Sequence, residues 1–141
     1  NYRMTNICAA VGYSHLQSAR KIIKKKRNIF FEYKKNINFN KKISIIEESK
    51  NTKSSFWLVV VILKNKFLTK KLQKYLLKNK IETRPTFYPI HKLPMYKSKK
   101  SLKVAEKLGS CGICLPSFPN MKIKEIKFIS KKINQFLDEY K

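Results

Sequence analysis

Few side chains in this 141-residue sequence suit covalent or metal chemistry, so each is worth weighing. The cysteines are Cys8, Cys111 and Cys114, and the histidines are His15 and His91. Cys111-Gly112-Ile113-Cys114 has the CxxC spacing of zinc and redox motifs. A structural zinc takes four ligands, and no second CxxC or histidine pair follows, so no metal site is expected. The segment runs into Leu115-Pro116 and reads instead as a buried strand carrying small residues. An odd cysteine count gives no support to a secreted disulfide framework. His91 stands in a different setting. Pro85, Pro89 and Pro94 break residues 84–96 into a stiff loop with few regular hydrogen bonds. That loop carries Tyr88 and His91, and it suits groups that line a pocket. A histidine beside prolines also serves simply as a loop hydrogen-bonder. Arg84, just before Pro85, suits bracing this loop as well as touching a ligand.

The elements that must position these residues follow from periodicity. Residues 5–33 read as one long helix: Ala9, Leu16, Ile23 and Phe30 recur every seventh position, with Ala19 and Tyr33 three residues after two of them. Thr5 or Asn6 can cap its start, and the cations of residues 20–27 lie toward its C-terminal end, where they complement the helix dipole. That basic run reads as a solvated face. Residues 34–55 form a polar connection with one short strand at residues 43–46. Residues 56–63 are a continuous, β-branched apolar run and read as a buried strand. Asn65 caps a helix over residues 66–79 with Leu68, Leu72, Tyr75 and Leu76 at helical spacing. Residues 81–86 suit a second strand. Residues 101–108 suit a short helix closed by Gly109, residues 111–115 a third strand, and Pro119-Asn120 begins a last helix striped by Ile126, Ile129, Ile133, Phe136 and Leu137. The expected class is α+β: a long leading helix, then a small sheet of about three strands covered by helices.

Composition bounds the function classes. Hydrophobic residues at 43% and aromatics at 12% support one folded domain rather than a disordered basic tail. The longest apolar run, residues 56–63, is far short of the roughly 20 residues that cross a bilayer, so no membrane association is expected. Lys and Arg number 33 against 8 Asp and Glu, a net charge of +25. Only Arg3, Arg20, Arg27 and Arg84 are arginine, leaving 33 − 4 = 29 lysines. Arginine is the side chain whose planar fork reads guanine edges and grips phosphates in pairs. The lysines are spread among many Asn and Ile residues, all with A/T-rich codons, so genome composition accounts for the charge without a polyanionic partner. A nucleic-acid-binding module remains the second reading, and it requires affinity that falls steeply with salt.

Four stretches resemble one enzyme family in order and spacing. They are NYRMTNICAAVGYSHL (residues 1–16), SSFWLVVVIL (residues 54–63), IETRPTFYPIHKLPMY (residues 81–96) and CLPSFPNMKIKEIKFI (residues 114–129). The family is the DegT/DnrJ/StrS group of sugar aminotransferases, which use pyridoxal 5'-phosphate (PLP). The resemblance implies the C-terminal part of a fold-type I PLP-dependent transferase, acting as a cytoplasmic homodimer whose active site is shared between subunits. Such an enzyme moves an amino group, usually from glutamate, onto a nucleotide-linked keto sugar for surface-polysaccharide or modified-sugar synthesis. In the family the lysine that holds PLP lies upstream of the first motif, so these 141 residues alone are expected to be inactive.

The resemblance also implies roles. Asn1 matches an asparagine that reaches across the dimer to the partner's PLP phosphate; capping the helix is its structural alternative. Arg3 matches an arginine near the active site, where it meets the substrate's diphosphate; a surface salt bridge is its alternative. Tyr88 and His91 become candidate substrate contacts in a sugar pocket. The family commonly has glutamine where Cys8 and His15 stand, and both differences read as packing changes. Residues 1–35 are expected to form the helix that packs on a large PLP domain, and residues 36–141 a small α+β domain. A remnant of the fold that binds or scaffolds without catalysis is the third reading.

Overall fold

A computed structural model describes residues 2–97 and 100–140. Helix α1 spans Asn6–Asn36; the Thr5 hydroxyl caps it by accepting from the Cys8 N–H at 3.3 Å. Strand β1 (Ile43–Ile45) and strand β2 (Val59–Leu63) follow, then α2 (Lys66–Lys78), capped by Asn65 accepting from the Leu68 N–H at 2.9 Å. Strand β3 is the two-residue Arg84–Pro85, and two 3-10 turns occupy Ile90–Lys92 and Pro94–Tyr96. Helix α3 (Lys103–Cys111) runs directly into β4 (Gly112–Leu115), and α4 covers Ile123–Glu139.

The class is α+β, with four antiparallel strands in the order β1-β2-β4-β3 where about three were expected. Residues facing one side of β2 (Val59, Val61 and Leu63) are buried, and the register sets Val59 opposite Leu115 and Val61 opposite Ile113. This face meets Phe30 and Tyr33 of α1, Leu72 and Leu76 of α2, and Ile126, Ile133 and Phe136 of α4 in one core. Each aliphatic or aromatic side chain sealed there contributes about 1.5–3 kcal/mol. The predicted stripe of α4 is buried throughout. That of α1 is not: Phe30 and Tyr33 are sealed, while Leu16 is 71% and Ile23 39% exposed.

Where boundaries differ from expectation, local physics explains the shift. Strand β2 begins at Val59 because Phe56 has φ 47°, a left-handed conformation that breaks an extended run. Its ring stacks on Phe30 at 3.6 Å between centroids, and the Ser54 hydroxyl accepts from its N–H at 3.0 Å. After α2, Lys80 at φ 59° ends the helix. The Ile81 N–H donates to the Leu76 carbonyl and the Lys80 N–H to that of Leu77, each at 2.9 Å, the bond pair of a Schellman cap. That cap uses Ile81, the first residue expected in a strand, which shrinks to Arg84–Pro85.

Gly109 does not close α3; it lies inside the helix, where a Cβ would stand 2.8 Å from Pro89 Cδ. Cys111 is the last residue of α3 rather than the first of a strand. The last helix starts at Ile123, where the Lys122 N–H donates to Glu125 Oε2 at 2.6 Å, not at Pro119.

Candidate functional site

The Pro-rich loop is built against α3 by three fitted contacts. Thr86 Oγ1 donates to the Leu108 carbonyl at 2.6 Å, Pro89 fills the space beside Gly109, and Thr86 fills that beside Gly112. Any Cβ at those glycines would collide with the loop, so their small size is what lets the loop lie down on the helix.

A further tie is polar. His91 Nε2 lies 3.1 Å from Glu106 Oε1, and Lys92 Nζ lies 2.9 Å from the other carboxylate oxygen, Oε2. The His91 side chain is only 10% exposed. Hydrogen bonds from Lys92 and then from His91 hold the Glu106 carboxyl at about 2, so it is ionised at neutral pH. Tyr88, 62% exposed, opens onto a cleft of about 500 Å³ shared with Lys66, Lys70, Gln73, Lys92 and Glu106. The loop thus presents a phenol over a basic, polar cleft.

The other predicted positions lie apart from this loop. Arg3 is exposed in the segment before α1 and makes no hydrogen bond or ion pair among the described residues. It does not line the cleft. Asn1 lies outside the described residues. Cys8 and His15 are exposed on the first half of α1. Cys111 and Cys114 are buried and unbridged, and burial pushes the Cys114 thiol up, away from thiolate chemistry. Among the described residues no three of His, Cys, Asp and Glu gather as metal ligands do, and no helix is long and apolar enough to cross a membrane.

Two features escaped the sequence reading. Glu106 is one of only eight acids and stands 15 residues from its histidine partner, so spacing carried no signal. Lys26 is 9% exposed; its ammonium donates to the Ser117 carbonyl and, at 3.0 Å, to the Ser117 hydroxyl. Burial lowers its pKa. A signal was present here: Lys26 lies three residues after Ile23 and four before Phe30, on the striped face rather than among the solvated cations around it. It lines a groove of about 1200 Å³ with Trp57, Arg84, Phe118 and Phe128.

A model of the DegT/DnrJ/EryC1/StrS aminotransferase family matches residues 1–134, which takes in both α1 and the clamped loop. The chain belongs to that family. Among curated relatives, the GDP-perosamine synthase of Escherichia coli O157:H7 is 41% identical over 140 residues, covering 99% of this chain and 38% of that protein. The GDP-perosamine synthase of Vibrio cholerae is 37% identical over 143 residues, covering 98% and 39%. The chain therefore spans under two-fifths of the length of these family members. Solved structures share the fold: the aminotransferase TlmJ of Streptoalloteichus hindustanus superposes with a TM-score of 0.86 at 16% identity, over 96% of this chain and 37% of that one. Helicobacter pylori PseC, an aminotransferase involved in pseudoaminic acid biosynthesis, gives 0.85 at 24% identity, over 99% and 39%. In each case the α+β architecture described above corresponds to a minor share of a longer chain.

Proposed function

We propose that this chain is the C-terminal part of a PLP-dependent aminotransferase that transfers an amino group from glutamate to a nucleotide-linked keto sugar, for surface-polysaccharide or modified-sugar synthesis in the cytoplasm. The observation that carries the reading is the family match along residues 1–134, which includes Arg3, Tyr88 and His91. The two relatives named GDP-perosamine synthase support GDP as the nucleotide in this reading.

The described residues do not fit the centre of a PLP site. Lys26 is the one buried lysine among them, and its ammonium is committed to Ser117. No Asp or Glu among them is buried to face a pyridine nitrogen. The lysine that holds PLP accordingly belongs, in this reading, outside these 141 residues, and the isolated chain is inactive. Bound PLP supplies the electron sink that lets an amino group move between donor and sugar.

This chain's own residues bind and orient. Asn1 would hold the PLP phosphate of a partner subunit through its amide N–H, which would make dimerisation a condition of activity. Arg3, which has no hydrogen-bond or ion-pair partner among the described residues, pairs with the diphosphate. Tyr88, which lines the cleft, and the clamped His91 contact the sugar in this reading. The exposed first half of α1 packs on the large PLP domain.

The test uses the whole protein purified from its gene. Bound PLP is read from its visible absorbance, and amino transfer from glutamate to a GDP-linked keto sugar is followed by product analysis. Arg3→Ala is expected to raise KM for the nucleotide sugar about tenfold or more, the loss of a charge-assisted pair worth about 1.5–3 kcal/mol. A whole protein that binds no PLP, or turnover by residues 1–141 alone, would overturn the reading.

A further inference from the structure

The imidazole of His91 has two nitrogens with unequal surroundings. Nε2 faces Glu106 Oε1 at 3.1 Å, and Glu106 Oε2 is itself held by Lys92 Nζ at 2.9 Å. No protein group among the described residues bonds to Nδ1. Nor is Nδ1 sealed away, since Ser130 Oγ is the buried polar atom left without a partner among them. The ring is thus nine-tenths buried and tethered on one nitrogen, with no protein partner among the described residues on the other.

We propose that Glu106 is a positioning residue for His91: it fixes the ring's flip and its tautomer, so that Nδ1 is the nitrogen offered to the ligand. An ionised carboxylate only accepts, so the Nε2 that faces it must carry the proton. In the neutral form of such a ring the lone pair is on Nδ1, which accepts from a hydroxyl or amine hydrogen and cannot donate to a carbonyl oxygen. Lys92 keeps Glu106 charged and in place, and the fitted contacts at Gly109 and Gly112 keep the loop from drifting off α3. This deepens the reading of His91 as a sugar contact and rests on it: the ligand group that meets Nδ1 of the neutral ring is a donor, a sugar hydroxyl or a newly placed amine, rather than the keto oxygen.

The experiment is long-range 1H–15N correlation on the whole protein labelled at histidine, at alkaline pH, with His91 assigned by its loss in His91→Asn. The expected spectrum shows the proton on Nε2 alone, with Nδ1 at the shift of an unprotonated nitrogen. Glu106→Ala is expected to move both nitrogens toward the averaged shifts of a ring exchanging tautomers. A proton on Nδ1 in the unaltered protein overturns the proposal without need of any variant. So does a Glu106→Ala protein that is folded by amide spectra and keeps a single Nε2-protonated ring. Adding the nucleotide sugar separates the two readings. If Nδ1 does not shift while the tautomer behaves as stated, the sugar contact fails and the positioning role stands.

Discussion

At the scale of single residues, the polar ties hold loops rather than helices. Arg27, within a run that reads as solvated cations, spans both Glu48 oxygens at 2.9 Å each, donates to the Ser54 carbonyl, and lies 5.6 and 5.2 Å from the Phe31 and Phe56 ring centroids. Glu48 also accepts from the Ser54 N–H at 2.7 Å. One pair therefore anchors the segment that turns into β2 at the left-handed Phe56. The Arg27 guanidinium, then the Ser54 N–H, bring the Glu48 carboxyl from 4.5 to about 2. A depressed carboxyl favours the folded state above its unfolded pKa, and that contribution disappears as pH falls through the folded value. The unaltered protein should therefore exceed Glu48→Gln in denaturant midpoint at pH 7, with the gap closing between about pH 4.5 and 2. A gap that persists at about pH 2 would show that packing, not ionisation, is what the glutamate contributes.

At the scale of elements, two glycines with opposite surroundings show what each helix is for. Gly12 lies in the exposed half of α1, with nothing within 4 Å of the point where a Cβ would stand. Gly112, where α3 becomes β4, would place its Cβ 2.4 Å from Thr86 Cγ2 and 2.6 Å from the Leu108 carbonyl oxygen. Gly12→Ala should stabilise the chain by up to about 1 kcal/mol through helix propensity alone. Gly112→Ala should cost about 1–3 kcal/mol, because one colliding atom is backbone and cannot rotate away. Urea denaturation of both variants checks the pair, and equal shifts would mean that the loop does not rest on α3 as described. The same closeness explains why α3 and β4 were legible as elements while their junction was not. A glycine near the end of a helical pattern ordinarily signals a cap, and only the loop packed against Gly109 reveals the other reason for it.

At the scale of the molecule, α1 leads two lives. Residues 2–18 are all exposed, including Ile7 at 78% and Val11 at 56%, whereas Ile29, Phe30 and Tyr33 are at most 4% exposed. A helical stretch without tertiary contacts is marginal in water, and its exposed apolar side chains form a patch of the kind that marks an interaction surface. Amide exchange on residues 1–141 in isolation should be rapid at Val11 and Leu16 and slow, near the global unfolding limit, at Phe30 and Tyr33. Uniform protection along the helix would mean that its first half is covered, by self-association for example, and dilution would then restore fast exchange. The charge of +25 is a molecular property that points to no site, because its lysines are spread along the chain rather than gathered on one element.

By itself the sequence determined the class, the order of elements, the buried stripe of α4 and the family, because these rest on local periodicity and on motifs that are contiguous in the chain. The loop that carries Tyr88 and His91 was legible for the same reason: three prolines mark it without any knowledge of what lies beside it. Tertiary structure decided what lay between distant segments. It paired His91 with Glu106, put Lys26 beneath Ser117, set the strand order β1-β2-β4-β3, and left half of a continuous apolar stripe in solvent. Each of these depends on which surfaces meet after the chain turns back on itself, and neither spacing nor composition records that meeting.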